Sequence, residues 1–311
     1  MKIRKAIIPA AGWGTRLLPA TKSLPKEMLT IVDRPSIHYV VEEAVRAGIE
    51  QVIIITGRNK DAIADYFDRS PDLERHLAEA GKADVLQSVL EPARMARICY
   101  VRQQQPRGLG DAILAAAPVV GDEPFAVLLP DELLPGHPPC LARLLAYAEE
   151  DAAALVAVQE VPLREVSRYG IIKPVGNLTL GARVIDLMEK PSVEQAPSRW
   201  AVIGRYVLPP DVFPLLAGLP TGADGEVQLT DALRALCRRA DIYAVRWDGE
   251  RYDVGTPAGL VRATVSFALA RSDLAAGLSP FVQDLAARLR VRSTNNGQAC
   301  PVRPAAFGPH R

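Results

Sequence analysis

Short apolar runs alternate with amphipathic segments along the first half of the chain. The runs KAIIPA, QVIIITG and PFAVLLPDELL are mostly apolar, and intervening segments such as SIHYVVEEAVRAGI and PDLERHLAEAG repeat apolar residues at helical spacing. Continuous apolar strands separated by helices predict a parallel sheet that is covered on both faces. Ligands of such sheets bind at the carboxyl ends of the strands, so we expect the chemistry in loops that follow strands.

The second half of the chain has a more mixed pattern. AALVAVQEV, SRYGIIKPVG, ARVIDLMEKP and WAVIGRYVLPP are typical of strands with turns, and helical spacing returns in QLTDALRALCRRA and TPAGLVRATVSFALARSDL. We predict one α/β domain over residues 1–277, with a Rossmann-like mixed, mostly parallel sheet flanked by helices. Its first half covers about 1–135 and its β-rich half about 136–277. Periodicity fades in residues 278–311, which we predict to be a poorly ordered tail.

Charge and cysteine content narrow the possible classes of function. The 37 Lys and Arg residues balance 36 Asp and Glu residues, which leaves a net charge of +1. So small a charge provides no field to hold nucleic acid or an anionic membrane, and we expect neither as a partner. The four cysteines form no C-x-x-C pair, which argues against a zinc site or a disulfide framework and favours a reducing cytoplasm.

A glycine pair follows the first predicted strand, in the stretch AAGWGTRLLPATKSLPKEML. Gly12 and Gly14 match the start of the dinucleotide motif G-x-G-x-x-G, but Leu17 stands where the third glycine belongs. A nicotinamide oxidoreductase is therefore disfavoured. The P-loop pattern G-x-x-x-x-G-K-[ST] does not occur in the sequence. For an isolated glycine pair, the simplest interpretation is a flexible turn with solvated charges.

Cationic and hydroxyl side chains distinguish this stretch from a plain turn. The glycines let backbone N–H groups approach an anion, while Thr15 supplies a hydroxyl donor and Arg16 a forked cation. Lys22 and Lys26 add positive charge within the same stretch. The stretch therefore predicts a loop that binds a polyphosphate.

The order of residues in this stretch resembles the sugar-1-phosphate nucleotidyltransferases, and among them the bacterial uridylyltransferases that use UTP and glucose 1-phosphate. Further segments match in the same order, namely VRQQQPRGLGDA, LPDELL, SRYGII, MEKP, VIGRYVL, GEVQLTDA and YDVGTP. The resemblance covers about residues 5–271. It implies the nucleotidyltransferase fold, in which residues 1–135 hold the nucleotide and the β-rich portion, 136–277, holds the sugar phosphate.

The resemblance also assigns roles to individual residues. Gln103 matches a glutamine that reads uracil, and Gly108 a glycine that packs beside it. The implied nucleotide-binding residues are Ala10, Ala11, Gly12, Gly14, Thr15, Arg16, Lys26, Glu27, Gln103 and Gly108. The implied sugar-phosphate residues are Gly170, Glu189, Lys190 and Gly204. The implied metal ligands are Asp131 and Asp253, and the implied catalytic residues are Arg16, Lys26, Asp131 and Lys190.

The reaction implied by the resemblance is attack of the glucose 1-phosphate oxygen on the α-phosphorus of UTP, which yields UDP-glucose and pyrophosphate. A phosphate monoester, with a second pKa of about 6, is largely dianionic at neutral pH and needs no general base. Catalysis then consists of alignment and charge neutralisation. Arg16 would hold the triphosphate, Lys26 the phosphates at the reacting centre and Lys190 the sugar phosphate. The implied cofactor is Mg²⁺, held by Asp131 with Asp253 completing its shell.

Three positions depart from the uridylyltransferase pattern. Asp111 stands where these enzymes usually carry histidine, Thr30 replaces a common proline, and Glu132 replaces a second aspartate. None of these changes removes a charge that the reaction needs. Because thymidylyltransferases share the glycine loop, the departures leave the choice of UTP over dTTP open.

Other interpretations also stay open at this point. Asp131 suits a cap for the turn after FAVLL, and Lys190 with Glu189 suits an exposed ion pair. A binding or regulatory homologue could hold UDP-sugars without catalysing transfer. Family members are commonly dimers or tetramers, so we expect a homodimer or a homotetramer by analogy.

Overall fold

The computed structural model describes residues 2–148, 154–178, 181–222 and 225–295. Its strands are β1 (Lys5–Pro9), β2 (Thr30–Ile31), β3 (Arg34–Pro35), β4 (Gln51–Thr56), β5 (Arg97–Arg102), β6 (Phe125–Leu128), β7 (Glu132–Leu133), β8 (Ala154–Glu160), β9 (Gly170–Val175), β10 (Ala182–Glu189), β11 (Trp200–Leu208), β12 (Ile242–Arg246) and β13 (Tyr252–Asp253). Its α-helices are α1 (Ser36–Arg46), α2 (Asp61–Phe67), α3 (Pro71–Glu79), α4 (Ala83–Arg94), α5 (Leu109–Ala115), α6 (Ala117–Val120), α7 (Cys140–Ala148), α8 (Val212–Gly218), α9 (Leu229–Leu236), α10 (Pro257–Ala270) and α11 (Ser272–Asn295).

Nine strands form one sheet in the order β5-β4-β1-β6-β11-β8-β12-β10-β9. The strands β5, β4, β1 and β6 run parallel, as the continuous apolar runs predict. Beyond β6 the sheet is mixed, because β11 runs antiparallel to β6 and β8, while β12 runs parallel to β8 and antiparallel to β10. The mixed α/β sheet is thus confirmed, and parallel pairing predominates in its first half.

Aliphatic and aromatic side chains fill the space between this sheet and the helices. Ile7, Ile53 and Val127 are fully buried on three neighbouring parallel strands. Phe213 of α8 stacks on Phe125 of β6, with ring centroids 4.9 Å apart. Burial of one such side chain stabilises a fold by about 1.5–3 kcal/mol. This packing holds the parallel strands in place. The loops of the first half begin at the carboxyl ends of these strands.

Among the described residues, the largest fully buried side chain is charged. Arg205 of β11 donates from Nη2 to Oε2 of Glu43 on α1 over 2.7 Å. Its guanidinium also donates to the carbonyl oxygens of Leu129 and Glu132, and Oε1 of Glu43 accepts the backbone N–H of Leu141. A buried charge is tolerated only when it is paired and hydrogen-bonded. The pair therefore fixes the backbone of the turn between β6 and β7.

Contacts divide the chain into two units, residues 1–263 and 264–311. The division falls inside α10, upstream of the boundary predicted at residue 277. The first part of the predicted tail, from residue 278, lies in α11, which covers Ser272–Asn295. This helix is rich in alanine, leucine and arginine, which favour helix formation without the apolar periodicity that pattern analysis detects. The rest of the predicted tail, 296–311, lies outside the described residues.

Within the described ranges, no helix combines the length and the apolar character that crossing a membrane requires.

The buried pair predicts unequal effects of two arginine substitutions. Arg205→Met leaves the Glu43 carboxylate buried without a cation, so we expect the free energy of unfolding to fall by about 3–5 kcal/mol. The control Arg234→Met removes an exposed pair with Asp186 and should cost about 0–1 kcal/mol. Urea unfolding followed by circular dichroism measures both. Equal losses in the two variants would contradict the role given to Arg205.

Candidate active site

The glycine stretch forms a loop directly after β1. Gly14 has a φ of +67°, which L side chains rarely adopt, and its carbonyl accepts a hydrogen bond from Thr21 Oγ1 over 2.8 Å. A short 3-10 turn over Thr15–Leu17 follows. A Cβ added at Gly14 would lie 3.1 Å from Lys26 Cβ, whereas one added at Gly12 would meet no atom within 4 Å. The backbone at Gly12 is therefore open to an incoming ligand.

A cavity of about 290 Å³ lies beside this loop. Its lining includes Ala11, Gly12, Gly57, Lys60 and Gln103. These residues follow β1, β4 and β5, whose parallel course brings their carboxyl ends to one edge of the sheet. Ala10 is fully buried at the end of β1, and Gly108 immediately precedes α5. The structure thus gathers the predicted phosphate loop and the predicted base-reading glutamine around one cavity.

Glu27, for which we predict a nucleotide contact, is bound to a lysine of the same chain. Its carboxylate is 1% exposed and accepts a hydrogen bond from Lys60 Nζ over 2.7 Å. Burial raises the pKa of Glu27, although Lys60 and Lys26 oppose the shift. The fold turns this side chain inward, and the nucleotide contact of Glu27 stays a prediction. Glu27 instead joins the glycine loop to the loop that follows β4.

Charged side chains meet where the glycine loop approaches the turn after β6. Lys26 Nζ donates to Asp131 Oδ2 over 2.7 Å. The guanidinium of Arg16 lies 3.6 Å from Asp131 and 3.7 Å from Asp253. Asp253 reaches this place because β13 pairs with β7, which puts it opposite Glu132. The four residues predicted for phosphate and metal are therefore neighbours, although most of the domain separates them in sequence.

The contact between Lys26 and Asp131 joins two ionised groups at neutral pH. Burial lowers the pKa of Lys26, but the carboxylates of Asp131 and Glu27 outweigh it and raise the pKa above the usual 10.5. Burial raises the pKa of Asp131, but Lys26 and Arg16 outweigh it and hold the pKa below the usual 3.8. The site therefore contains a cation and an anion in contact across the physiological pH range.

Gly255 leaves room for this charged cluster. A Cβ added there would lie 2.9 Å from both Arg16 Nη2 and Asp131 Oδ2. Its backbone N–H donates to Asp253 Oδ1 over 3.1 Å. The sequence analysis matched the YDVGTP segment but gave this glycine no role. Nothing in its spacing distinguishes it from an ordinary turn glycine, because its neighbours come from two other loops.

Three of the four predicted sugar-phosphate residues line a second cavity, of about 170 Å³. Its lining includes Arg16, Asp131, Gly170, Glu189 and Gly204. Glu189 Oε2 accepts a hydrogen bond from Thr230 Oγ1 over 2.7 Å, which fixes the carboxylate. Arg16 and Asp131 therefore lie on the boundary between the charged cluster and the sugar side.

Lys190 follows β10 and does not belong to the lining of this cavity. Its backbone N–H donates to the carbonyl oxygen of Tyr169 over 3.0 Å, and its φ is +42°. Its Nζ lies 3.4 Å from Glu189 Oε1, and 54% of the side chain is exposed. An exposed pair of this kind contributes about 0–1 kcal/mol. The pair is thus a weak structural contact, which leaves the ammonium free to bind a ligand.

Arg168 is a charged residue of this site to which the sequence analysis assigned no role. Its Nη2 donates to Asp253 Oδ2 over 2.8 Å, and it lines the second cavity. Arg251 was missed as well, and it donates two hydrogen bonds to the carboxylate of Glu132, over 2.6 and 2.8 Å. Arg168 lies in the segment SRYGII, and Arg251 directly precedes YDVGTP; both segments match the family pattern. Only the pairing of β7 with β13 shows which carboxylates they reach.

Substitution of Lys26 should reverse the pH dependence of stability at this site. In the wild type, the lowered pKa of Asp131 contributes stability above pH 3.8, and this contribution disappears as the pH falls through the folded-state value. Lys26→Met leaves the Asp131 carboxylate without its nearest cation, so its folded-state pKa should rise above the unfolded one. The variant should lose about 1–3 kcal/mol at neutral pH and regain part of it in mild acid.

Urea unfolding at neutral pH and in mild acid measures this difference. The matched control is Lys22→Met, which removes an exposed lysine from the same loop and should leave both values close to wild type. A Lys26→Met variant whose stability relative to wild type falls further in acid would contradict the ionised contact with Asp131.

Comparisons with known proteins agree with this arrangement. A family model for nucleotidyl transferases matches residues 5–268. The UTP–glucose-1-phosphate uridylyltransferase of Bacillus subtilis (strain 168) is 48% identical over 284 residues, 91% of this chain and 97% of the relative. The structure of UTP-bound UGPase from Acinetobacter baumannii has a TM-score of 0.85 at 40% identity, over 91% of this chain and 100% of that chain. UDP-glucose pyrophosphorylase complexed with UDP-glucose has a TM-score of 0.79 at 43% identity, over 87% of this chain and 100% of that chain.

These matches extend over the glycine loop, both cavities and the charged cluster. They confirm the resemblance that the ordered sequence segments indicated. The chain belongs to the nucleotidyl transferase family.

Proposed function

We propose that this protein transfers the uridylyl group of UTP to glucose 1-phosphate, forming UDP-glucose and releasing pyrophosphate. The observation that carries the proposal is the position of Arg16, Lys26, Asp131 and Asp253 where the glycine loop meets the sugar-side cavity. The relative from Bacillus subtilis is named for this activity, and two similar solved structures are described with UTP and UDP-glucose bound. UTP and glucose 1-phosphate are therefore the proposed substrates.

The chief barrier to this reaction is repulsion between two phosphorylated anions. Arg16 is placed to bind the triphosphate and the departing pyrophosphate, and Lys26 to bind the phosphates at the reacting centre. Preorganised cations lower the barrier most when they face the charge that develops in the transition state. The sugar phosphate is already largely dianionic, so no side chain has to take a proton from it. We assign Lys190 to the sugar phosphate because its ammonium is exposed.

Members of this family commonly use a divalent metal, and we propose Mg²⁺ for this protein. The donor set fits, since the carboxylates of Asp131 and Asp253 converge at Gly255, where an added Cβ would lie 2.9 and 3.1 Å from them. Mg²⁺ is commonly held by one or two carboxylates together with substrate phosphates and water. The described residues contain no group of three or more His, Cys, Asp or Glu side chains placed to hold a metal. When bound, the ion would neutralise charge on phosphate oxygens.

Assembly and location are proposals of the same kind. A homodimer or a homotetramer is supported by Phe281 and Leu285, which are exposed one turn apart on α11. A cytoplasmic location is supported by the cysteines, since Cys99, Cys140 and Cys237 are free thiols. Light scattering after size-exclusion chromatography measures the assembly.

Loss of either charged group predicted for phosphate or metal should slow turnover in a folded protein. We expect Asp131→Ala and Lys190→Ala each to lower kcat by about 100-fold or more, since each removes charge stabilisation from the reacting phosphates. The control Lys173→Ala removes an exposed lysine of β9 and should leave kcat unchanged. Pyrophosphate release from UTP and glucose 1-phosphate measures the rates, and circular dichroism checks the fold.

Pyrophosphate release with different nucleotides, UDP-glucose binding and a search for a covalent intermediate separate this proposal from its alternatives. UTP should exceed dTTP, ATP and GTP as the nucleotide, and excess EDTA should abolish turnover. Faster pyrophosphate release from dTTP would identify a thymidylyltransferase instead. Tight UDP-glucose binding with no turnover would identify a regulatory homologue. A nucleotidyl group trapped on the polypeptide would contradict direct transfer.

A further inference from the structure

Gln103 and Asp111 form a buried contact beside the cavity of about 290 Å³ that the glycine loop lines. Gln103 follows β5 and is 7% exposed, and Asp111 lies in the first turn of α5 and is 8% exposed. Gln103 Nε2 donates to Asp111 Oδ2 over 2.6 Å. Arg107 Nη2 donates to the other carboxylate oxygen, also over 2.6 Å. The carboxylate is thus balanced by a cation and holds the glutamine amide.

The chemistry of the carboxylate decides which way this amide is turned. An ionised carboxylate only accepts hydrogen bonds, so the Gln103 atom that faces Asp111 has to be the NH₂ group. The same Nε2 also lies 3.4 Å from the carbonyl oxygen of Gly108. For Oε1 of Gln103, no hydrogen-bond partner is found in the part of the chain that the structure describes. This oxygen is the atom of the amide that remains for a ligand.

An acceptor at this position discriminates between pyrimidine bases. Uracil and thymine carry a hydrogen on ring nitrogen N3 and can donate it to Oε1, whereas N3 of cytosine is itself an acceptor. Two acceptors that face each other in a largely buried site leave both unpaired, which rejects the wrong base. Gln103 lines the same cavity as Gly12 and Lys60, so a base bound there meets its amide.

We propose that Asp111 is a positioning residue that fixes the Gln103 amide with Oε1 towards the base, so that the site accepts uracil and thymine and excludes cytosine. The inference deepens the proposed function and rests on it, because it places the base of the nucleotide in this cavity. Asp111 occupies a position where the sequence departs from the uridylyltransferase pattern, which has histidine. An imidazole can donate or accept through either ring nitrogen, whereas a carboxylate enforces one orientation of its partner.

The test compares the binding of UTP, dTTP and CTP by titration calorimetry without sugar phosphate, so that no transfer occurs. For the wild type, we expect CTP to bind about tenfold or more weakly than UTP, as one unmade hydrogen bond implies. Asp111→Asn replaces an obligate acceptor by an amide that can donate or accept, so Gln103 can turn over. The ratio of Kd for CTP to Kd for UTP should then fall by about tenfold. The ratio for dTTP to UTP should stay constant, since both bases carry the N3 hydrogen.

Arg107→Met is the matched control, because it removes the other partner of Asp111 and leaves the contact with Gln103. It should retain the wild-type ratio of CTP to UTP. Asp111→Ser repeats the test with a hydroxyl that can donate or accept, if thermal unfolding shows that Asp111→Asn is not folded.

Three results would overturn the inference: an unchanged ratio in the folded Asp111 variant, an equal loss of affinity for all three nucleotides, or a wild type that binds CTP as tightly as UTP. A wild type that rejects CTP but releases no pyrophosphate from UTP and glucose 1-phosphate would overturn the proposed function alone. Binding selectivity and turnover are separate measurements, so the two failures are distinguishable.

Discussion

The ion pair between Lys26 and Asp131 is the contact on which the site depends. It joins the loop after β1 to the turn after β6, two strands that are direct neighbours in the sheet. Attraction between opposite charges is strong only at short distance and away from bulk water. The fold therefore has to hold two loops within hydrogen-bonding distance while both side chains are largely shielded. The parallel half of the sheet supplies that rigidity, because its strands β1, β4 and β6 are buried on both faces.

A second buried pair extends this constraint into the core. Arg205 of β11 binds Glu43 of α1 and also donates to carbonyl oxygens on both sides of Asp131, at Leu129 and Glu132. Asp131, which would hold a metal, therefore lies on a backbone segment that the buried guanidinium of Arg205 keeps in place. Pre-organisation of this kind matters for phosphoryl transfer, in which the protein contributes alignment and charge.

The cation that we propose for the triphosphate, Arg16, lies beside carboxylates of the same chain. Arg16 lies near Asp131 and Asp253, and Arg168 binds Asp253. In the proposed reaction, Arg16 would bind the phosphates, and Asp131 and Asp253 would hold the divalent ion. Each charge of this cluster would then keep a partner of opposite sign, so the proposed reaction requires no large uncompensated buried charge. The small net charge of the chain is consistent with this local balance.

The sequence by itself determined the parallel first half of the sheet and the family, and it located the glycine loop that we propose for phosphate. These depend on local order: continuous apolar runs, paired glycines and cations at fixed spacing. It also identified Arg16, Lys26, Asp131 and Asp253 as candidate residues for phosphate and metal, and the structure brings these four together. Only the tertiary structure decided that Glu27 is buried, that Gly255 borders the charged cluster, and that Asp111 accepts a hydrogen bond from Gln103. Those facts depend on which loops the sheet brings together, and no spacing along the chain contains that information.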